Sequence, residues 1–259
     1  MIFPVADGIS AGRGAGGVLV QAALNGGTTR AEHPAVPLTP AELAAQARAA
    51  ALAGAGALHL HPRDGTGAQT LEPEHVLAAV AATRAATGLP VGVTTGIWTV
   101  DGDVARRWSL VARWTGPDRP DYASINVNEP GTEELADLLT SLGIQIEAGV
   151  WTAGDARLLG AAAFRDRILR VLMEPEDRTP AGAVASAAEA AAELARLGVR
   201  ARQVHHGYAL ATWDVMRAAV AMGQDIRVGL EDTTVLPDGS IATGNGDLVA
   251  AAVRLAGEP

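Results

Sequence analysis

Short apolar runs recur along this chain, each followed by a stretch rich in Ala, Leu, Arg and Glu with helical spacing. The apolar runs predict strands over 18–25 (VLVQAALN), 57–64 (ALHLHPRD), 90–96 (PVGVTTG) and 122–128 (YASINVN). Four more are expected over 144–150 (IQIEAGV), 168–175 (ILRVLMEP), 202–208 (RQVHHGY) and 225–232 (DIRVGLED). Between them, Thr39-Pro40-Ala41-Glu42 predicts a helix start, with a capping Thr, Pro in the first turn and an acid three residues on. Segments 132–142 and 183–197 predict further helices, each followed by a glycine (Gly143, Gly198) where a helix would end. Eight strands alternating with eight helices, at about thirty-residue spacing, predict a single-domain α/β fold, the (β/α)8 TIM barrel, over residues 18–259. The rival is a doubly wound open sheet, but no G-x-G-x-x-G follows the first strand. Residues 1–17 are Gly-rich and aperiodic and are expected to form a flexible leader.

A barrel carries its catalytic residues at the C-terminal ends of its strands, with side chains alternating between the interior and the helix layer. Leu58 and Leu60 facing the helices would turn His59 and His61 inward. Ala123, Ile125 and Val127 outward leave Ser124, Asn126 and Asn128 inside; Ile144 and Ile146 outward leave Glu147 inside. In the last strand Ile226, Val228 and Leu230 face out, so Arg227 and Glu231 face in. Polar residues thus converge at one end of the barrel.

Composition narrows the chemistry. Cysteine is absent and all 20 basic residues are arginine. Disulfides, thiolate nucleophiles and Cys-based zinc sites are excluded, and so are Schiff-base, PLP, Walker-A and carbamylated-lysine chemistries. The net charge of −9 argues against nucleic acid as a partner, and no basic run suits an anionic membrane surface. The N-terminus lacks a signal-peptide pattern and no span-length apolar stretch occurs, so a cytoplasmic location is expected.

Two imidazoles and one carboxylate form a common ligand set for catalytic zinc, which makes His59, His61 and Glu231 the candidate metal ligands. The alternative is a hydrogen-bonded histidine pair without metal. Asp232 could serve as a base beside a cation or cap a helix; Arg227 could orient Asp232, hold a substrate carboxylate or make a structural ion pair. Glu147 could be an acid–base group facing the same cavity, or an ion-pair partner of Arg227 on the barrel floor. Thr94, Ser124 and Asn126 offer neutral hydrogen bonds to a bound oxyanion or carboxylate, and Asn25 is grouped with them as substrate-binding. Alternation puts only one of His205 and His206 inside, as a generic polar residue; His33 and His75 are expected at the surface, and the tryptophans form no platform. A divalent metal polarising a carbonyl next to an acid–base pair would replace the missing lysine, pointing to C–C bond cleavage or formation, or a hydrolysis.

The stretch NGGTTRAEHPAVPLTPAELAAQARAALAGAGALHLHPRD resembles the opening of the beta-keto acid cleavage enzymes. The resemblance continues through VTTG (93–96), SIN (124–126), RVGLED (227–232) and NGDLVAAAVR near the end. It implies a zinc-dependent (β/α)8 barrel in which a beta-keto acid reacts with acetyl-CoA to give acetoacetate and a new CoA thioester. It also implies His59, His61 and Glu231 as metal ligands, Asp232 as base, Arg227 as its charged partner, Glu147 as supporting acid and Thr94 as a substrate-contacting hydroxyl. A homo-oligomer, tetramer or larger, is expected on the same ground. Members that accept the 5-amino substrate carry a glutamate where this chain has Gly27, so that substrate is not expected here. After the sixth strand the family has a Gly-rich loop; this chain has MEPEDRTP, where Glu174 and Glu176 would repel an acidic ligand such as CoA unless paired. The alternatives are a metal-dependent lyase or hydrolase working without CoA, and a non-catalytic barrel that binds a small acid.

Overall fold

The computed structural model describes residues 17–257, so all but the last residue of the expected leader lies outside the described residues. Eight parallel strands close in chain order: β1 (Val20–Ala23), β2 (Ala57–Leu60), β3 (Val91–Thr94), β4 (Tyr122–Asn126), β5 (Gln145–Val150), β6 (Ile168–Met173), β7 (Gln203–His205) and β8 (Asp225–Val228), with β8 paired back to β1. They alternate with α1 (Pro40–Leu52), α2 (Pro73–Thr87), α3 (Val104–Val111), α4 (Thr132–Ser141), α5 (Ala153–Ala161), α6 (Pro180–Arg196), α7 (Thr212–Ala221) and α8 (Asn245–Ala256). The expected (β/α)8 architecture is therefore the observed one.

The helix ends follow their local chemistry. Thr39 caps α1 by accepting from Glu42 N at 3.3 Å, while the Glu42 carboxylate accepts from Thr39 N at 3.0 Å. Helix α6 begins three residues before the expected position, because Thr179 caps it and Pro180 fills its first position. Gly143 and Gly198 follow α4 and α6 with φ of 71° and 74°, a region that favours glycine. Outward-facing Leu58, Leu60, Ile125, Ile146, Ile226 and Val228 are buried against Leu43, Val76, Leu135, Leu159 and Leu248 of the helix layer. Each such burial is worth roughly 1.5–3 kcal/mol relative to exposure.

Inside the barrel, Tyr122 crosses the space beside β3. A Cβ on Gly92 would lie 2.0 Å from its ring, so only glycine fits there. Gln21 donates to the Tyr122 hydroxyl at 2.9 Å and to Glu147 Oε2 at 3.0 Å. Arg170 pairs with Glu147 and stands 4.7 Å over the Tyr122 ring. This polar layer plugs the barrel below its C-terminal mouth. Among the described residues, no helix is long and apolar enough to cross a membrane.

Candidate active site and metal centre

Most strands stop short of the apolar runs that announced them, and the polar residues beyond their C-terminal ends form the site. His61 lies just past β2, Glu174 past β6, His206 past β7, and Glu231 and Asp232 past β8. A cavity of about 640 Å³ opens there, lined in part by His59, His61, Thr94, Ser124, Asn126, Arg227, Glu231 and Asp232.

The 229–233 turn that carries the two acids is clamped from several sides. Thr28 Oγ1 donates to Leu230 O at 2.7 Å, Leu230 N donates to Asn245 Oδ1 at 2.9 Å, and Ala209 N donates to Asp232 O at 2.8 Å. Gly229 is required by crowding, since a Cβ there would sit 1.8 Å from Ala23 O. Gly26, at φ 48°, leaves room for the Glu231 side chain, which a Cβ would meet at 2.1 Å.

His59, His61 and Glu231 offer ligand atoms that all lie within 4.8 Å of one another. The two Nε2 atoms are 3.2 Å apart; Glu231 stands 3.4 Å from His61 Nε2 and 3.8 Å from His59 Nε2. Burial drives the His59 imidazole well below its ordinary range, so it is the neutral form that a cation requires. Burial alone would raise the Glu231 carboxyl, but Arg227 and the two histidines hold it well below the usual range. Among the described residues, Glu231 Oε2 is buried without a hydrogen-bond partner. His61 Nδ1 faces Gln69 Oε1 at 2.6 Å, and Trp98 Nε1 donates to the same oxygen at 3.2 Å. An oxygen taking two N–H donors fixes the amide's orientation and puts the His61 proton on Nδ1, leaving the Nε2 lone pair free toward Glu231. The donor set, its protonation and the unpartnered oxygen all fit a divalent cation.

Arg227 binds both acids, reaching Glu231 Oε1 and, at 2.9 Å, Asp232 Oδ1. Arg227 thus makes ion pairs with both neighbouring acids at once. The sequence pattern predicts a generic polar site residue among His205 and His206, and says nothing of the partners of His206. His206 is fully buried between two carboxylates, with Nδ1 3.1 Å from Asp232 Oδ1 and Nε2 3.2 Å from Glu174 Oε2. Burial and Arg227 depress its pKa, yet the two acids outweigh them and carry it up to about 9. A raised imidazole stabilises the fold fully below its ordinary value near 6.5 and loses that contribution as pH climbs through about 9. The melting temperature is therefore expected to fall by several degrees between pH 7 and pH 10, and His206→Gln to flatten that decline; equal declines in both proteins would count against the assignment.

Several other expectations are corrected. Glu147 does not line the cavity, and its cation is Arg170, not Arg227. Alternation gives direction but not depth: the next inward position on β5, Gly149, lies beneath the site, so Glu147 belongs to the layer below. Asn25 is also absent from the lining. Its Nδ2 donates to Pro37 O and His61 O, and its Oδ1 accepts from His61 N at 2.8 Å, so it holds the backbone of a candidate ligand residue. Asn126 lines the cavity, but its Nδ2 donates to Glu129 Oε1 at 2.8 Å. Asn128 is exposed because β4 ends before it. Both His205 and His206 are buried, His205 against Gln203 at 2.9 Å. His33 is buried too, with Nε2 2.9 Å from Ala242 O, because it staples the β1–α1 loop to the β8–α8 loop.

Residues that the sequence pattern missed lie on the same loops. Trp98 stacks on His61 at 6.3 Å between ring centroids, and Trp151 donates to Glu174 Oε1 at 3.1 Å. Tyr208 packs edge-on against His206, and its hydroxyl, 3.5 Å from Glu174, is held protonated by burial and by that carboxylate. The one usable signal was position: each follows a strand end, where a barrel builds its site. Glu174 is thus paired rather than bare, whereas Glu176 is exposed. Gly27 lines the cavity with space beside it.

The 3-keto-5-aminohexanoate cleavage enzyme of Fusobacterium nucleatum subsp. nucleatum is 27% identical over 261 residues, covering 93% of this chain and 92% of its own. Among solved structures, the apo structure of ObcA matches with a TM-score of 0.69 at 18% identity, over 84% of this chain. A ternary complex of ObcA with C4-CoA adduct and oxalate matches at 0.65 and 20% identity. The chain spans only 61–62% of ObcA's length. The 3-dehydroquinate dehydratase of Aquifex aeolicus VF5 matches at 0.58 with 12% identity, over 92% of this chain and 97% of that one. At these identities the structural likeness is one of fold. The family model described as beta-keto acid cleavage enzyme matches residues 17–258, nearly the whole chain, and the protein belongs to that family.

Proposed function

We propose that this protein is a divalent-metal enzyme, with zinc the preferred ion, that reacts a beta-keto acid with acetyl-CoA. The keto acid's acyl group passes to CoA sulfur, and the released two-carbon carboxylate unit joins the acetyl group as acetoacetate. The observation that carries this reading is the convergence of His59, His61 and Glu231 beside an arginine-held Asp232 in one cavity wall. A cation held by those three ligands would act as a Lewis acid on the keto carbonyl.

The charges around it suit an anionic substrate. Arg227 and His206 are cationic against Glu231, Asp232 and Glu174, one negative charge in excess; a dication plus one substrate carboxylate brings the set to neutrality. Asp232 Oδ1 faces Arg227 and His206, while among the described residues Oδ2 has only a 3.5 Å contact from Arg227 Nε. Oδ2 is therefore the oxygen proposed to take a proton from the carbon between the two carbonyls. Thr94 Oγ1 accepts from Gly96 N at 3.1 Å, which leaves its proton for a substrate oxygen, and Ser124 offers a second hydroxyl. The pairing of Glu174 with His206 and Trp151 removes much of the repulsion expected toward CoA, and Arg178 adds a cation at the cavity. Nothing at Gly27 would pair a substrate ammonium, in keeping with a substrate other than the 5-amino acid.

Metal analysis of purified protein, coupled to a beta-keto acid panel assayed with acetyl-CoA, tests the reading. About one zinc per chain and acetoacetate formed only with both substrates present are expected. Zinc with turnover independent of acetyl-CoA would replace this reaction by a lyase or hydrolase on the same site, and no metal would remove the mechanism.

A further inference from the structure

Tyr208 lines the cavity from the loop after β7, and its backbone is pinned on both sides. Thr212 Oγ1 donates to Gly207 O at 3.0 Å, and a Cβ on Gly207 would lie 2.8 Å from the Ala211 backbone. Ala209 has a φ of 50°, a left-handed conformation unfavourable for alanine, and its N–H donates to Asp232 O at 2.8 Å. Such strain persists only where the surroundings enforce it, and it gathers at functional sites. The Tyr208 ring packs edge-on against His206 at 4.9 Å between centroids, and the Arg178 guanidinium stands 5.5 Å over it. Ring and backbone are fixed, but the hydroxyl is lightly engaged. Among the described residues its one hydrogen bond runs to Glu174 Oε2 at 3.5 Å, an oxygen that His206 Nε2 already approaches to 3.2 Å. A protonated phenol so placed has an O–H to offer to what the cavity binds.

Position decides which atom receives it. In the closed barrel β7 stands opposite β3, so Tyr208 faces the cavity from across Thr94, the hydroxyl proposed above for the keto acid. The proposed reaction has a second carbonyl, that of the thioester, to which no group has yet been assigned. The carbon deprotonated by Asp232 attacks the acetyl carbonyl carbon; a C–C bond forms and the carbonyl π pair moves to oxygen as an alkoxide. Collapse of the alkoxide re-forms the carbonyl, breaks the C–S bond and releases CoA thiolate. The thiolate then attacks the keto carbonyl, the adjacent C–C bond breaks to leave the new thioester, and the released carbon takes its proton back from Asp232. An alkoxide in a cavity needs a fixed donor aimed at it. Glu174 is paired with His206, and Arg178 adds a cation over the same ring. We infer that the Tyr208 hydroxyl donates to the thioester oxyanion and is a catalytic residue of the acetyl-transfer step. This rests on the reaction proposed above, and the test separates the two.

Tyr208→Phe keeps the ring on His206 and removes only the O–H. In zinc-loaded protein the single-turnover rate of acetoacetate formation is expected to fall about 10²-fold, the scale of one lost oxyanion donor. Zinc content and melting temperature should stay near wild type. The deciding readout precedes the thioester: exchange of the hydrogen between the keto acid's two carbonyls with deuterated water, without acetyl-CoA, followed by NMR. The variant should exchange at the wild-type rate, because only the later step uses the phenol. Slowed exchange would overturn the inference, since Tyr208 would then act through His206 on Asp232. An unchanged rate of acetoacetate formation in the variant would also overturn it, while leaving the proposed reaction in place. Wild-type protein that exchanges the hydrogen but forms no acetoacetate from acetyl-CoA would sink the reaction, and the role of Tyr208 with it.

Discussion

Replacing His61 with alanine is expected to empty the metal centre while leaving the barrel folded. In the proposed centre the imidazole is one of three ligands, and its loss should lower zinc affinity by more than the 10–100-fold typical of removing a residue that only supports a ligand. Acetoacetate formation should fall to background, because the Lewis acid goes with the ligand. The fold should survive for a reason visible around the residue. His61 lies beyond β2, and its backbone N–H and carbonyl are held by Asn25, contacts that the substitution does not touch. The checks are zinc content, circular dichroism and the rise in melting temperature on adding zinc. Wild type should be stabilised in proportion to the logarithm of zinc over its dissociation constant, and the variant not. An alanine variant that keeps its zinc would remove His61 from the ligand set.

The architecture could be read from the chain because its signals are local and repeated. Every strand coincides with an apolar run, and the α1 cap follows from Thr39 and Glu42 alone. The convergence of the three candidate ligands was legible for a similar reason, since His59 and His61 share a face and the last run ends in two acids. What was not legible depends on depth and on pairing across the barrel. Glu147 obeys the alternation rule yet sits a layer too deep, a consequence of how neighbouring strands are staggered and not of its own segment. Asn25 and Asn126 look interchangeable as polar residues at strand ends. One is spent on the backbone of His61 and the other has its amide turned by Glu129, and both partners come from other elements or a loop turn. His206 showed the same limit: its two carboxylate partners lie 32 and 26 residues away in sequence and meet it only when β6, β7 and β8 stand side by side.

Asp232→Asn should separate the proton-handling part of the site from the metal-holding part. The amide keeps the size of the carboxylate and can still accept from Arg227 through its oxygen, so the 229–233 turn should hold its course. The variant no longer offers a carboxylate to take the substrate proton, and kcat is expected to drop by about 10²–10⁴, the usual worth of a positioned base. Zinc content should stay near the wild-type level, since His59, His61 and Glu231 are untouched; that is the contrast with His61→Ala. Stability should also fall, because Arg227 and His206 would share one fewer buried anion. Losing one partner from a buried charge pair can cost up to about 3–5 kcal/mol, and the retained hydrogen-bond acceptor should keep the cost below that bound. With Asp232 gone, the strongest upward pull on His206 disappears, so the alkaline loss of stability should begin at lower pH than in wild type. Turnover within a few-fold of wild type, with zinc retained, would show that another group takes the proton and that Asp232 serves only to hold Arg227 and His206 in place.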